Sequence, residues 1–531
     1  MSTNPAGSPA TATVTADRPS RSSLVLLALV TGAIVANINL GIANVALPTI
    51  GRELGASQDQ LSNIADAFAL GLASTVLYLG SVGDRYGRKL MFILGGILTI
   101  PTSMMAAWAP NAEFLTLSRF LCGLSAALLF PTTLSLIGSL YRGGAQVKAI
   151  ALWSGVGGGV AAVGPIIGGW LLENYWWGSV FLVTLPLDIL ALVVGIIVLP
   201  WHSSEEKFSI DHLGGVLSVL GVGGLVLSIE KADQGLTPTL IACIAVAILA
   251  LVGFFWRQTR APRPLVVIPL AKARTFWVSF LAGAITFGSL IGAMFVGQQF
   301  TQNVLGYNTL TAAAVVLPAA LMTAVGGQLA GRVIAQFGSR ISYIIGLGAV
   351  ALAFAVMLVT WQAGAPIGWI LGVYALVGTG VGFAATPASH CLMSSVPSSN
   401  AGMGSAFLDL TRDFGGAILQ AIMGGLLATA YAASLTNAFA ALPADQASKL
   451  SDDAADQITS SYAGAEQVAA SYPQAPASEL MAAAAQAFTD GKSLAIGAAL
   501  ALTVIGLLLV IIVFPRKARE LAYYESIQQS A

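Results

Sequence analysis

The chain has 531 residues, of which 56% are hydrophobic and only 9% are charged. Water-soluble domains carry about 25% charged residues, so this composition excludes an ordinary soluble protein and indicates one embedded in lipid. The 24 Lys and Arg residues balance the 24 Asp and Glu residues. Because no net positive field attracts nucleic acid, we expect a membrane protein without a nucleic acid partner.

Apolar segments long enough to cross a bilayer follow one another along the chain. A hydrocarbon core about 30 Å thick needs about 20 apolar residues of helix. Fourteen such segments begin near Ser23, Gln60, Lys89, Glu113, Ala149, Trp176, Asp211, Thr237, Trp277, Tyr307, Ile341, Ala365, Gly404 and Leu494. We therefore predict an all-α integral membrane protein with fourteen transmembrane helices, and an even number of helices places both termini on one side.

Basic residues follow predicted helices 2, 4, 8, 10 and 14, which all end on the same side of the membrane. These residues are Arg85, Arg88, Lys89, Arg142, Lys148, Arg257, Arg260, Arg263, Lys272, Arg274, Arg332, Arg340, Arg516, Lys517 and Arg519. The opposite side carries Arg52, Lys231, Lys449 and Lys492. Since loops rich in Lys and Arg stay in the cytoplasm, we expect a multi-pass inner-membrane protein with both termini cytoplasmic.

Three segments outside the predicted helices differ from the rest in composition. Residues 1–22 are rich in Ser, Thr, Ala and Pro and predict a disordered cytoplasmic tail, and residues 516–531 predict a second cytoplasmic tail. The predicted extracellular segment, about 434–490, is rich in Ala and acidic residues. Two interpretations of this segment are open, namely short amphipathic helices over the outer mouth or a flexible acidic loop.

Two turns of similar sequence indicate an internal repeat. The turn after helix 2 reads GSVGDRYGRKL from Gly80, and the turn after helix 10 reads GQLAGRVIAQFGSR from Gly327. Each has an Arg five residues after its first glycine. The second copy follows helix 10 rather than helix 8, so we predict that two helices were inserted between six-helix bundles. The predicted domains are 23–200 for the N-terminal bundle, 201–257 for the inserted helices and 258–515 for the C-terminal bundle.

Several short motifs occur in a fixed order along the chain. The turn motif contains Gly80, Gly83, Asp84, Arg85, Gly87, Arg88 and Lys89; helix 4 contains Arg119, Gly123 and Pro131; and helix 5 contains Gly164, Pro165, Gly168 and Gly169. With these motifs the chain resembles the major facilitator superfamily, specifically its fourteen-helix drug:proton antiporter branch of the multidrug and quaternary-ammonium efflux type. The resemblance covers essentially all of residues 23–515 and implies alternating access between the two bundles.

The turn motif has a physical role that we can state from its residues. Asp84 can accept backbone N–H groups at the positive end of a neighbouring helix, and Arg85 and Arg88 can pair with acidic or carbonyl groups. We therefore predict a conformational latch, defined here as a contact that forms and breaks during transport. A purely topological role as a basic loop is the alternative. In helix 5, Gly164, Pro165, Gly168 and Gly169 predict a bend and close helix packing.

Ionisable side chains inside the membrane are costly, and each is a candidate for function. The candidates for proton coupling or substrate binding are Asp66, Arg119, Asp188, Asp409, Arg412, Asp413 and the amide Asn39. Asp66 and Arg119 lie at similar depths and could form an ion pair, either for coupling or as a static link. Asp188 lies in helix 6 without a predictable partner.

Helix 13 and helix 1 raise two further questions about coupling. The helix 13 cluster of Asp409, Arg412 and Asp413 lies near the predicted cytoplasmic end, so an interfacial structural role is also open. The family usually carries Asp where this chain has Asn39. Asn37 and Asn39 can hydrogen-bond a substrate but cannot carry a proton, so these positions either weaken coupling or move it to Asp66.

These features predict a secondary active transporter that exports amphipathic, cationic compounds in exchange for protons. The alternative is a dedicated exporter of a self-made metabolite, lipid or neutral antibiotic. His202, His212 and His390 lie singly, and the chain has no GxxxxGK[ST] motif, so we predict neither an enzyme nor an ATP-driven pump. We expect no catalytic residue, metal or cofactor. The expected partners of a monomeric protein are a small-molecule substrate, protons and the bilayer.

Overall fold

A computed structural model describes residues 22–56, 58–141, 143–201, 210–230, 237–397, 400–440, 452–460, 462–470 and 474–529. The predicted tail 1–22 lies outside these ranges except for Ser22, which begins the first helix. Within the described ranges the chain consists of helices and turns, without a strand. This confirms the predicted all-α fold.

The N-terminal half contains six membrane helices, in the order that the hydropathy predicts. They are α1 (Ser22–Leu54), α2 (Gln58–Tyr86), α3 (Arg88–Ala107), α4 (Ala112–Leu140), α5 (Gly143–Asn174) and α6 (Leu185–Val198). The two inserted helices follow as α7 (His212–Glu230) and α8 (Pro238–Gln258).

The C-terminal half contains six further membrane helices and ends in a short helix. They are α9 (Arg274–Gln299), α10 (Leu317–Phe337), α11 (Ser339–Thr360), α12 (Ile367–Ser394), α13 (Ala401–Ala440), α14 (Gln474–Val513) and the terminal α15 (Lys517–Gln529). Thirteen helices in the described ranges are long and apolar enough to cross a membrane. The 32-residue α5 is not among them, so the total of fourteen spans stays a prediction.

Two predicted spans are interrupted near a proline. The span Ser179–Val198 consists of a short helix, Ser179–Leu182, and α6, which has Pro186 in its first turn. Before α10, a short helix at Thr309–Ala314 ends just ahead of Pro318, which lies in the first turn of α10. Proline has no N–H to donate and fits best in the first turn of a helix, so each proline restarts the helix.

The outer segment differs from its predicted bounds. α13 and α14 have 40 residues each, and at about 1.5 Å per residue they are about 60 Å long, so the predicted segment 434–490 is largely helical at both ends. Between them lie two short helices, Asp452–Ser460 and Tyr462–Ala469. Ile458 and Ala465 are buried in the apolar cluster of the C-terminal half. The helices of the first interpretation are therefore present, and they pack on α13 and α14.

Two charged segments are packed more tightly than the sequence indicates. Within residues 516–531, expected to be a cytoplasmic tail, Lys517–Gln529 is a helix whose Glu520 and Tyr524 are buried against the C-terminal half. Lys492, expected among the charges of the outer side, is fully buried in α14. Its ammonium donates to the carbonyl oxygen of Trp361 at the end of α11 and lies 5.2 Å from the ring centre of Phe300. A carbonyl at a helix C-terminus and an aromatic face stabilise a buried cation.

Both halves use the same helix pairing. In the N-terminal half α2 packs on α4 and α1 packs on α5, and eight helices later α10 packs on α12 and α9 packs on α13. α5 packs on α10, and α2 packs on α13, across the boundary between the halves. The inserted α7 packs on α2 and on its partner α8. The domain boundaries themselves stay a prediction.

Candidate transport site

A cluster of polar side chains lies at the boundary between the two halves. The guanidinium of Arg412 on α13 donates to Oδ1 of Asn37 on α1 over 3.2 Å. It also lies 4.5 Å from the ring centre of Phe130 on α4. On its own helix Arg412 donates to Oδ1 of Asp413 over 3.3 Å. One side chain of the C-terminal half therefore contacts two helices of the N-terminal half.

The depth of this cluster differs from the sequence-based prediction. Asn37 is the sixteenth of the 33 residues of α1, so its contact with Arg412 places the cluster near mid-membrane and not at the cytoplasmic end. Mid-membrane sites between two repeats are where secondary transporters bind substrates.

The cluster contains more carboxylates than cations. Asp409 lies one turn before Asp413 on α13 and is only 2% exposed. Oδ2 of each Asp has no hydrogen-bond partner within the described ranges. With one guanidinium and two carboxylates, the ionised cluster has a net charge of −1. Unpaired negative charge inside a membrane is costly, so a positive charge or protonation of one carboxylate would stabilise this cluster.

Aromatic residues form a wall beside the cluster. The ring centres of Phe130 and Trp153 are 5.1 Å apart, and the indole N–H of Trp153 donates to Oγ1 of Thr133 over 2.8 Å. The sequence singled out Pro131 but not Phe130, because aromatic residues in membrane helices are common and nothing local distinguishes a site residue. An aromatic face next to carboxylates is suited to an organic cation.

A second polar group, inside the N-terminal half, is centred on Arg119. This residue is 0% exposed, and its guanidinium donates to the carbonyl oxygen of Asn39 over 3.1 Å. It lies 4.8 Å from the ring centre of Phe68 and 5.7 Å from that of Phe181. The amide of Asn39 donates to Oγ1 of Thr184 over 3.0 Å. A polar chain therefore joins α4, α1 and the start of α6.

The predicted ion pair between Asp66 and Arg119 is not present between these two described side chains. The residue of α2 that faces Arg119 is Phe68. Two residues along a helix correspond to a rotation of about 200°, so Asp66 lies on a different face of α2 from Phe68. The prediction was based on the similar depth of Asp66 and Arg119 in neighbouring helices. The rotation of α2 instead places Phe68 against Arg119.

Asp188 lies in the first turn of α6 and is fully buried. Neither carboxylate oxygen has a hydrogen-bond partner in the described part of the chain. Gly96 of α3 lies beside Asp188, since a methyl group added to Gly96 would lie 3.6 Å from Oδ1 of Asp188. The sequence predicted no partner for Asp188, and the described structure shows none.

The turn motif lies at the end of the bundle where α1 begins, which we call the basic end. Both carboxylate oxygens of Asp84 accept the backbone N–H of Gly402, over 3.1 and 3.0 Å, in the first turn of α13. Arg88 pairs with Asp84 over 3.0 Å. Asp84 therefore has the expected hydrogen bonds, and those from Gly402 join the two halves. Whether the contact acts as a latch stays a prediction.

Lys89, the last residue of the turn motif, has a separate structural task. Its ammonium donates to the carbonyl oxygens of Ile196 and Leu199 over 2.7 and 2.6 Å and lies 4.5 Å from the ring centre of Trp201. These carbonyls belong to the C-terminal end of α6, where a cation is favourable. Lys89 thus ties α3 to α6.

The halves approach closely at three places at the basic end. A methyl group on Gly80 would lie 3.0 Å from the carbonyl oxygen of Gly402. A methyl group on Gly138 of α4 would lie 2.8 Å from the methyl group of Met393 on α12. A methyl group on Gly331 of α10 would lie 3.2 Å from Cβ of Ala151 on α5. The structure is therefore closed at this end.

The helix 5 motif faces α1. A methyl group on Gly164 would lie 3.6 Å from the carbonyl oxygen of Ile38, and one on Gly168 would lie 3.0 Å from Cγ1 of Ile42. Gly169 has no atom within 4 Å and faces away from α1. The side chain of Pro165 lies outside the described part. Close packing of helix 5 is thus directed at the helix that carries Asn37 and Asn39.

Comparison with known proteins agrees with this architecture. The family model described as Major Facilitator Superfamily matches residues 29–420. The chain belongs to the major facilitator superfamily. A solved bacterial homologue of the human lysosomal transporter Spinster, in an inward-facing and unoccupied conformation, shares the fold with a TM-score of 0.53 and 19% identity, over 94% of this chain and 98% of that one.

Relatives in the superfamily are named as exporters and resistance proteins. The multidrug efflux pump LfrA of Mycolicibacterium smegmatis is 31% identical over 92% of this chain and 95% of its own length. The methyl viologen resistance protein SmvA of Salmonella typhimurium is 29% identical over 90% and 95%. The tetracenomycin C resistance and export protein of Streptomyces glaucescens is 30% identical over 76% of each. The chain is therefore a membrane transporter rather than an enzyme, and these relatives support a drug exporter.

Proposed function

We propose that this protein exports amphipathic organic cations in exchange for protons. The observation that carries the proposal is the buried cluster of Asp409, Arg412 and Asp413 between the two halves. Arg412 offsets one carboxylate, so the second needs a proton or a cationic substrate beside it. A site that holds either ligand but not both couples their movements in opposite directions.

The two halves supply different parts of this site. The C-terminal half contributes the charges on α13, and the N-terminal half contributes Asn37 and the Phe130 wall. Rocking of the halves would separate Arg412 from Asn37 and Phe130 and so change the surroundings of both carboxylates. Opening at the basic end also requires that Asp84 releases Gly402, which is the latch role that we propose for the turn motif.

Orientation and organisation complete the proposal. The basic end faces the cytoplasm according to the positive-inside rule, so both termini are cytoplasmic and the structure is closed to the cytoplasm. Bundles at 23–200 and 258–515, joined by an inserted pair at 201–257, act as a monomer. The name of the methyl viologen resistance relative supports a cationic substrate, since methyl viologen is an organic cation.

A dedicated exporter of one neutral compound is the second candidate. The similarity to the tetracenomycin C resistance and export protein favours it, because that name specifies a single compound. Asn37 and Asn39 at mid-membrane could hydrogen-bond a neutral substrate. Substrate charge separates the two candidates.

The decisive experiment is ethidium efflux from loaded cells, with and without a protonophore. We expect gradient-dependent efflux in the wild type and a loss of about tenfold or more in Asp409→Asn, since about 1.4 kcal/mol corresponds to a factor of ten. Asp66→Asn tests the coupling role predicted for Asp66. The matched control is Asp456→Asn, an exposed residue of an outer helix, which should keep the wild-type rate. Absence of ethidium and methyl viologen efflux, with protein confirmed in the membrane, would favour the neutral-substrate exporter.

A further inference from the structure

Asp188 is separate from the cluster on α13 and has an unusual environment for a carboxylate. It is 0% exposed, and both its oxygens lack a hydrogen-bond partner within the described ranges. Acidic residues in the first turn of a helix are normally stabilised by free backbone N–H groups. No described N–H group donates to Asp188, so helix capping does not explain this residue.

Ionisable neighbours do not explain it either. α1 and α3 pack against α6. The sequence of α3 has ionisable residues only at Arg88 and Lys89, at the basic end, and that of α1 has them only at Arg52 and Glu53, at the opposite end. Arg119 on α4 donates to Asn39 and lies against two aromatic rings. An ionised carboxylate without a partner is costly inside the membrane, so the ligand that suits Asp188 is a proton.

Polar groups lie near this carboxylate within the N-terminal half. Thr184 lies one turn before Asp188 on the same face of the helix, and its hydroxyl accepts a hydrogen bond from the amide of Asn39. The carbonyl oxygen of Asn39 accepts from Arg119. Asn39 is rotated by about 200° around α1 from Asn37, the residue that contacts Arg412, so the polar group near Asp188 is separate from the α13 cluster.

We propose that Asp188 is a second proton-carrying residue, located in the N-terminal half and distinct from the carboxylates of α13. This inference rests on the proposed function and makes it more specific. One proton would be exchanged at the α13 cluster and one at Asp188, so two protons would enter for each monovalent cation that leaves. Each turnover would then move one net positive charge inwards, and the membrane potential would drive transport.

The test uses purified protein in liposomes, with ethidium as the probe and a potassium diffusion potential at equal pH on both sides. Passive ethidium moves towards the negative side. Exchange of two protons for one ethidium moves ethidium towards the positive side, because net positive charge must flow to the negative side. We expect this reversed movement in the wild type and its loss, by at least tenfold, in Asp188→Asn, which should keep exchange driven by a pH gradient.

Controls separate this inference from the proposed function. Asp188→Glu should restore the response to potential, and Asp456→Asn should match the wild type. The ethidium gradient that balances a given pH gradient and potential gives the stoichiometry of the wild type directly, independent of any variant. A wild type that exchanges one proton per ethidium, or an Asp188→Asn variant that still responds to potential, would overturn the inference. Absence of any pH-driven exchange in the wild type would instead refute the proposed function.

Discussion

The turn between α2 and α3 and the turn between α10 and α11 have similar backbones but different charges. Each ends in a glycine with positive φ, 103° at Gly87 and 88° at Gly338, just before the next helix. A residue with a side chain rarely adopts this conformation, which accounts for glycine at both positions. The first turn has an acid at Asp84, whereas the equivalent position of the second turn, four residues after Gly327, is Gly331.

Near each turn an acidic side chain caps the start of a helix, but the acid and the capped helix differ. Asp84 bonds the first turn of α13 in the other half. In the second turn the acid comes from α15, where Glu520 accepts the N–H of Ser339 at the start of α11 over 3.2 Å. Lys517 of the same helix donates to the carbonyls of Ala335 and Gln336, at the end of α10, over 2.8 and 2.9 Å. The contacts of Glu520 and Lys517 all lie within the C-terminal half.

The comparison indicates a division of tasks. A capping bond between the halves must break whenever they separate at the basic end, whereas a capping bond within one half can persist through the cycle. Across the boundary, Gly331 near the second turn lies against Ala151 and Val147 of α5, a contact that can separate without exposing an uncapped helix end. We therefore expect the α2–α13 contact to control transport and the α15 contacts to control stability.

The largest effect is expected from Gly402→Ala. The added methyl group would lie 2.6 Å from Oδ2 of Asp84 and would clash with Gly80. Overpacking costs about 1–3 kcal/mol, so the closed state should be lost and ethidium efflux should fall by about tenfold or more. The matched control is Gly348→Ala, because Gly348 has no atom within 4 Å. Equal efflux rates for the two variants would contradict the importance of this contact.

Asp84→Ala and Glu520→Ala compare the two acids directly. Loss of a helix-capping acid costs about 1 kcal/mol, which in Asp84→Ala should appear as an efflux rate lowered by about fivefold. Glu520→Ala should transport within about twofold of the wild type but unfold at a lower temperature, since its bond does not have to break. Efflux rates per amount of membrane-inserted protein and melting curves of purified protein test both. The comparison fails if Glu520→Ala slows transport more than Asp84→Ala does.

Lys89→Met and Lys517→Met compare the two lysines that cap helix C-termini. Lys89 is only 4% exposed and makes two short bonds, whereas Lys517 is partly exposed. Removing a buried charged hydrogen bond costs about 1.5–3 kcal/mol. We therefore expect a melting temperature lowered by several degrees in Lys89→Met and by less in Lys517→Met, measured in the same detergent. The reverse order would show that burial does not set the strength of these caps.

The smallest effect is a pH dependence of α15 docking. Burial raises the pKa of Glu520 above its usual 4.5, although the N–H of Ser339 and the nearby Lys517 act in the opposite direction. A carboxyl whose pKa is raised in the docked state favours docking at low pH, and this stabilisation is lost as pH rises through the raised pKa. Protection of α15 against trypsin at Arg519 should therefore increase as pH is lowered towards 4.5. Glu520→Gln should abolish the pH dependence, and protection that falls with decreasing pH would contradict this sign.

Much of the candidate site was present in the sequence as residue types without partners. Asp409, Arg412, Asp413, Asn37, Asn39 and Arg119 were candidates because charged and amide groups are rare in apolar segments. Their contacts with residues of other helices were not predictable. Arg412 contacts Asn37, 375 positions away along the chain, and Arg119 faces Phe68 and not Asp66, because helix rotation and tilt decide which of several groups at similar depth meet.

The sequence by itself determined which segments are long and apolar enough to cross a membrane, since length and hydropathy are local properties of each segment. It also determined the two glycine turns, because φ is a property of single residues. Only the tertiary structure decided that Lys492 is buried against Trp361, that α15 docks through Glu520 and that Asp188 has no described partner. Burial and pairing depend on packing between distant helices, and no local pattern in the sequence specifies that packing.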